Sequence, residues 1–66
     1  MELYRTAITN ARGETFHVGD IVRVQTVGGW RIGSIVTIWA FGQAPVAVRI
    51  GGIVSDFAAD DLAEAA

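Results

Sequence analysis

Side chains with the chemistry for catalysis are few and scattered in this chain of 66 residues. His17 is the only histidine, cysteine is absent, and neither Ser34 nor Ser55 lies in a nucleophile motif. A nucleophilic triad needs a base beside the nucleophile, and a zinc site needs several His or Cys ligands. We therefore predict no catalytic residue, no metal site and no cofactor, and we interpret His17 as a packing or capping residue.

Acidic side chains gather at the end of the chain. Asp56, Asp60, Asp61 and Glu64 give the last segment a net charge of −4, whereas residues 1–55 carry a net charge of +2. A calcium loop alternates its oxygen ligands and places a glycine among them, and this segment does neither. We interpret it as a solvated acidic face and not as a metal site.

Arginine and tryptophan provide the best case for a nucleic-acid partner. Small barrels bind single strands with exposed aromatic side chains among arginines, and Trp30, Arg31 and Arg49, together with Arg23, are of these types. The chain has no lysine, however, and its formal net charge is −2. Binding to the phosphate backbone of a nucleic acid relies on several cationic side chains. The negative net charge and the lack of lysine therefore argue against a nucleic-acid partner, which stays an alternative.

The elements that must position these residues are short strands. Apolar and polar residues alternate with a period of two, and Gly28-Gly29, Pro45 and Gly51-Gly52 interrupt the alternation. The chain is short enough to form one domain. The pattern predicts strands near residues 3–9, 14–17, 21–27, 31–41, 46–50 and 53–57, a turn at 10–13, and one or two helical turns over 58–66.

The stretch from residue 16 to 24 predicts the entry to a small barrel. Gly19-Asp20 supplies a tight turn, after which Val22 and Val24 alternate with polar residues, as in a half-buried strand. We assign structural roles to Phe16, Gly19, Asp20, Val22 and Val24.

The fourth predicted strand is apolar on both faces. Regular alternation places Val36, Ile38 and Ala40 on one face, and the other face carries Ile35, Trp39 and Phe41. Only one face of a barrel wall can point inward. The face with Trp39 and Phe41 is therefore our candidate for a subunit interface or ligand platform, unless the N-terminal hairpin covers it.

Composition favours a partner. Hydrophobic residues make up 52% of the chain, yet a domain of this size hides only about 60% of the surface that its unfolded form exposes. We expect a homo-oligomer, a dimer or tetramer, or a protein partner, although ten alanines inflate the hydrophobic fraction. No leader peptide or membrane span is predicted, and the lack of cysteine favours a cytoplasmic location.

Two segments carry family resemblances. From Phe16 to Val36, the pattern Phe-x-x-Gly-Asp-x-Val-Arg followed by Trp30 resembles the plasmid-borne type II dihydrofolate reductases, which are SH3-like barrels that form tetramers around a pore. Residues 45–62 are similar to the end of the photosystem I subunit PsaE, and the general shape recurs in the nitrile hydratase β subunit. The resemblance implies an all-β, SH3-like small barrel of about five strands with an N-terminal hairpin and a short C-terminal helical turn.

The reductase activity that this resemblance implies depends on residues that are replaced here. The family binds folate and NADPH with a Val-Gln-Ile-Tyr segment and a lysine, and the matching positions are Val54-Ser55-Asp56-Phe57 and Val24. A divergent reductase-like pore protein therefore stays an alternative, and we predict a non-catalytic binding or assembly module. Its candidate interface or binding residues are Trp30, Arg31, Ile35, Trp39, Phe41, Arg49, Ser55, Asp56 and Phe57.

Overall fold

The structure is a computed structural model, and it describes residues 1–65. Within these residues the chain forms seven β-strands and one 3-10 turn. In chain order the elements are β1 (Ala7–Thr9), β2 (Thr15–His17), β3 (Ile21–Thr26), β4 (Gly29–Ile38), β5 (Val46–Ile50), β6 (Ile53–Phe57), the 3-10 turn (Ala59–Asp61) and β7 (Leu62–Glu64).

The strands form an N-terminal hairpin and a five-stranded antiparallel sheet. Strands β1 and β2 pair with each other, and the sheet has the order β6-β5-β4-β3-β7. The run from β3 to β6 is a meander, and after the 3-10 turn β7 returns to pair with β3. Gly29 and Gly51 have the positive φ angles, 99° and 63°, that the two tight turns of this meander need. The chain is thus an all-β, SH3-like small barrel with the predicted hairpin and C-terminal helical turn.

The core lies between the sheet and the hairpin. Val22 and Val24 on β3 are 1% and 0% exposed, and Ile8 of β1 and Phe16 of β2 pack into the same cluster. The hairpin therefore covers the inner face of the sheet without pairing with its edge strands. The other members of the cluster come from the later strands and are Ile35, Ile38, Val46, Val48 and Leu62.

A bulge in β4 changes which of its residues face the core. The register with β5 shifts between Ile35 and Thr37, so that Ile35 pairs with Val48 and Ile38 pairs with Val46. Because the extra residue of a bulge resets the alternation, both isoleucines point inward. The prediction that Ile35 shares an accessible face with Trp39 and Phe41 is wrong, since Ile35 is only 1% exposed.

The predicted strand boundaries differ most at the start of the first strand and at the end of β4, and elsewhere by at most two residues. The first strand covers Ala7–Thr9 and not residues 3–9, and β4 ends at Ile38 and not at Phe41. Beyond these ends only a single bridge joins Tyr4 to Trp39. The segment of residues 40–45 forms bends, so the ladder between β4 and β5 ends there.

The C-terminal segment is mostly extended. Helical turns were expected over residues 58–66, but only Ala59–Asp61 are helical, and Leu62–Glu64 form β7. Leu62 is fully buried opposite Val24, and this tertiary burial outweighs the weak helical preference of a short segment. Ala66, the last residue of the expected helix, lies outside the described residues.

The turn before β3 is built from the residues that the sequence singles out. Gly19 has a φ of 96°, and the backbone N–H of Asp20 donates to the carbonyl of His17 at 3.0 Å. The Asp20 carboxylate in turn accepts a 2.9 Å hydrogen bond from the backbone N–H of His17. These bonds fix the entry of β3 into the barrel, and the exposed His17 ring lies beside the turn.

Candidate interaction surfaces

The outer face of the sheet carries an arginine over a tryptophan. The register of β3 and β4 places Arg23 opposite Ile32 and Gln25 opposite Trp30, on the side away from Val22 and Val24. The guanidinium carbon of Arg23 lies 5.2 Å from the ring centre of Trp30, within cation–π distance. The Nε of Arg23 also donates to the carbonyl of Glu64 at 2.8 Å, which holds its side chain over the ring.

The other two candidate arginines lie on different faces. Arg49 is exposed and pairs with Ser34 on one side and Val54 on the other, on the same outer face as Arg23. Arg31 pairs with Val24, so its position in the register belongs to the inner face, although it is exposed near the end of the sheet. We call the set of Arg23, Trp30, Ile32 and Arg49 the cationic face.

Backbone pairing of the N-terminal segment creates a second surface. The N–H of Arg5 donates to the carbonyl of Ile38 at 2.8 Å, and the N–H of Ala40 donates to the carbonyl of Leu3 at 2.9 Å. Between these bonds the rings of Tyr4 and Trp39 have their centroids 4.9 Å apart at an interplanar angle of 33°. We call Leu3, Tyr4, Trp39 and Phe41 the aromatic patch.

Half of the aromatic patch is absent from our sequence-based candidates. Trp39 and Phe41 stand out because both faces of their strand are apolar, whereas Leu3 and Tyr4 precede the first strand of the hairpin. Nothing in the local sequence says that residues 3–5 pair with the end of β4. A contact between residues 35 positions apart depends on the tertiary fold.

The candidate residues near the end of the meander lie on β6 and divide between its two faces. Phe57 pairs with Val46 and packs partly buried against the core. Ser55 pairs with Val48 on the same face but is exposed, and Asp56 is exposed on the outer face. Asp56 therefore lies on the face that carries Arg49, and Ser55 and Phe57 do not.

A polar clamp joins the hairpin loop to the C-terminal strand. The amide of Asn10, a residue only 5% exposed, donates to the Glu14 carboxylate at 2.9 Å and to the carbonyl of Leu62 at 3.3 Å. Its oxygen accepts from the backbone N–H groups of Arg12 and Glu14 at 3.1 and 3.0 Å. Arg12 donates to the Glu14 carboxylate at 2.9 Å and also to the carbonyl of Leu62. This network orients the loop on β7.

Hydrogen bonds between the hairpin loop and the acidic C-terminal segment extend the clamp. The Asp60 carboxylate accepts a 2.7 Å hydrogen bond from the backbone N–H of Ala11, and the carboxylate of Glu14 accepts from the N–H of Glu64 at 3.3 Å. The hydrogen bonds from Asn10 and then Arg12 lower the pKa of Glu14 below its ordinary value. Asp60 is therefore a contact to the hairpin as well as a solvated charge.

The part of the chain that the structure describes holds no metal-binding cluster, pocket or membrane-spanning helix. No three His, Cys, Asp or Glu side chains among residues 1–65 are grouped to hold a metal ion, and these residues form no pocket. No helix in this range is long and apolar enough to cross a membrane. Comparison of the chain with protein-family models, curated proteins and solved structures gave no match.

Proposed function

We propose that this protein is a non-catalytic binding or assembly module that self-associates through the aromatic patch. The observation that carries the proposal is the exposure of its four large apolar side chains. Leu3, Tyr4, Trp39 and Phe41 are 53%, 55%, 40% and 56% exposed, although they lie on segments tied together by backbone hydrogen bonds. Exposed apolar surface of this kind is typical of protein–protein contacts.

The hairpin does not remove this surface from solvent. Ile8 and Phe16, its large apolar residues, are buried in the core, and residues 3–5 lie alongside Trp39 at the edge of β4. Tyr4 contacts Trp39 but is itself more than half exposed, so it adds to the patch. The alternative of a covered aromatic face is therefore not supported.

The geometry of the patch suits an interface core. Aromatic side chains lose little conformational entropy on binding because they have few rotatable bonds, and they are enriched at the centres of interfaces. The contact between Tyr4 and Trp39 holds both rings before any partner arrives. A patch ordered in advance binds at a smaller entropic cost.

Light scattering across a concentration series tests this proposal. We expect the wild type to be an oligomer and Phe41→Asp to weaken association by at least about tenfold, because burying an unpaired carboxylate is unfavourable. Trp39→Ala should act in the same direction. Circular dichroism must show that both variants remain folded.

The matched control for this experiment is Val27→Asp. Val27 is fully exposed in the turn between β3 and β4, so the same charge should leave the mass unchanged. A wild type that is monomeric at the highest concentration, or equal effects of Phe41→Asp and Val27→Asp, would contradict the proposal.

A second candidate function is the binding of single-stranded nucleic acid on the cationic face. The observation in its favour is the guanidinium of Arg23 over the Trp30 ring, with Arg49 exposed on the same face. A base could stack on such a platform while the arginines contact phosphates. Its test is a fluorescence titration with a generic oligonucleotide, in which affinity must fall steeply as salt rises and must fall further in Arg23→Ala.

The reductase-like pore protein has a separate test. That alternative depends on the resemblance of residues 16–36 and would need an assembled pore. Absence of NADPH oxidation with dihydrofolate by the assembled protein would eliminate it.

A further inference from the structure

The two edges of the five-stranded sheet are treated differently. At the β7 edge, every outward backbone group has a partner. The N–H of Leu62 bonds to the carbonyl of Ala59, and the carbonyl of Leu62 accepts from Asn10 and Arg12. The N–H and carbonyl of Glu64 bond to the side chains of Glu14 and Arg23. The clamp thus prevents another strand from pairing here.

The β6 edge has no such cover. The two-residue turn Gly51-Gly52 makes Ile50 and Ile53 the closing pair of the β5–β6 hairpin, which is a hydrogen-bonded pair in such turns. Alternation then directs the N–H and carbonyl groups of Val54 and Asp56 away from β5. Within residues 1–65, no side chain or loop backbone makes a hydrogen bond to these four groups.

The β6 edge also lacks the features that usually discourage strand pairing. Its five residues contain no proline or lysine, and its register with β5 has no bulge. Ile53 and Val54 are 71% and 47% exposed. An edge of this kind is a ready template for another strand.

We propose that β6 pairs with β6 of a second copy of this chain, antiparallel and with the two-fold axis at Ser55. In this register Val54 faces Asp56 of the partner subunit. The outward N–H and carbonyl groups of both residues then form four hydrogen bonds across the axis. The inference rests on the proposed self-association and adds an interface distinct from the aromatic patch.

Side-chain complementarity selects this register. Centring the axis on Ser55 places Ile53 opposite Phe57 of the partner subunit, an apolar–aromatic pair of the kind that stabilises sheets. An axis at Asp56 would place the two Asp56 carboxylates directly opposite each other. An axis at Val54 would place Ile53 opposite Ser55 of the partner subunit, an apolar side chain against a hydroxyl. The Ser55 axis avoids both mismatches.

Charge supports the same arrangement. The arginine–carboxylate ion pair among residues 1–65 is Arg12–Glu14, and neither Arg49 nor Asp56 is in an ion pair. Arg49 pairs with Val54 on the outer face. In the proposed dimer, one row across the sheet therefore runs from Arg49 to Val54 of the same chain and then to Asp56 of the partner subunit. The two ends of this row carry opposite charges.

Cysteine cross-linking tests the axis directly, because the natural chain has no cysteine. Ser55 would face its symmetry mate as a non-hydrogen-bonded pair, the closest spacing between antiparallel strands. We expect Ser55→Cys to form a covalent dimer on mild oxidation at low protein concentration. The control is Gln25→Cys, which is exposed on β3, a strand paired on both sides. Its yield should be lower by at least about tenfold, since the thiols cannot meet at bonding distance.

A second variant tests the hydrogen bonds. Val54→Pro removes an N–H that β5 does not use, and edge strands tolerate proline. We expect the dissociation constant to rise by about tenfold or more, since each dimer loses two hydrogen bonds. If this variant fails to fold, the Ser55→Cys cross-link decides alone.

The outcomes separate the two proposals. An oligomeric wild type in which Ser55→Cys cross-links no faster than Gln25→Cys would overturn the edge pairing and leave the assembly function standing. A wild type that is monomeric throughout, with no Ser55→Cys dimer, would overturn both.

Discussion

Gly33 offers the sharpest test of how the barrel is packed. It is buried on β4, opposite Val22, and its φ does not require glycine. A Cβ at this position would lie 2.6 Å from Cγ1 of Val48 and 2.7 Å from the carbonyl oxygen of Arg49. The effect of Gly33→Ala is therefore steric, with no penalty from backbone conformation.

The loss of stability expected in Gly33→Ala depends on which atoms must move to admit the added Cβ. Cγ1 of Val48 belongs to a fully buried side chain, and the Arg49 oxygen is backbone, so β4 and β5 must separate. Overpacking of a core costs about 1–3 kcal/mol, and we expect the upper end because a rigid atom is involved. A domain of this size has a total stability of only about 3–10 kcal/mol. A loss of about 3 kcal/mol lowers the Tm by about 12–24 °C.

Urea denaturation followed by circular dichroism measures this loss, at one fixed protein concentration because association adds to apparent stability. The matched control is Gly52→Ala, which has a negative φ and no atom within 4 Å of the added Cβ. We expect it to lie within about 1 kcal/mol of the wild type, on the stabilising side. A Gly33→Ala protein that loses less than about 0.5 kcal/mol would refute the close approach of β4 and β5.

The clamp between the hairpin loop and β7 gives two further predictions. Asn10→Ala leaves the polar groups around a buried amide without partners and should lower the free energy of unfolding by about 2 kcal/mol in the same urea assay. Thr15→Ala, which removes an exposed hydroxyl contact of the same hairpin, should cost no more than about 0.5 kcal/mol, and equal losses would argue against the clamp. Because the folded state lowers the pKa of Glu14, its carboxylate contributes stability above its ordinary pKa of 4.5, and this contribution is lost as the pH falls through the lower folded value. Urea midpoints measured above and below pH 4.5 should therefore fall less in Glu14→Gln than in the wild type, and parallel falls would show that Glu14 is not coupled to folding.

Local signals were sufficient for most of the meander. The alternation in residues 21–27 and 46–50 predicted β5 and β3, which ends one residue earlier at Thr26. The glycine pairs between strands predicted the turns, because strand period and turn conformation depend on neighbouring residues. The hairpin turn at residues 10–13 was predicted on the same basis, and Gly13 has the positive φ that the turn needs.

The candidate sites were less predictable. Alternation identified Trp39 and Phe41 as exposed aromatic residues, but it placed Ile35 beside them because a bulge leaves no mark in a pattern of apolar residues. Arg23 was considered only as an addition to Trp30, and the structure puts the two in contact. Arg31 is adjacent to Trp30 in the chain yet belongs to the opposite face.

Local sequence was enough to predict a small all-β barrel, because hydrophobic period, glycine turns and the Gly19-Asp20 turn are local properties. Tertiary structure alone decided that Leu62–Glu64 are a strand, that Leu3 and Tyr4 join Trp39, and that Asn10 closes one sheet edge while β6 stays open. Each of these depends on which distant segment lies alongside, and pairing between distant segments is set by the burial of a shared core.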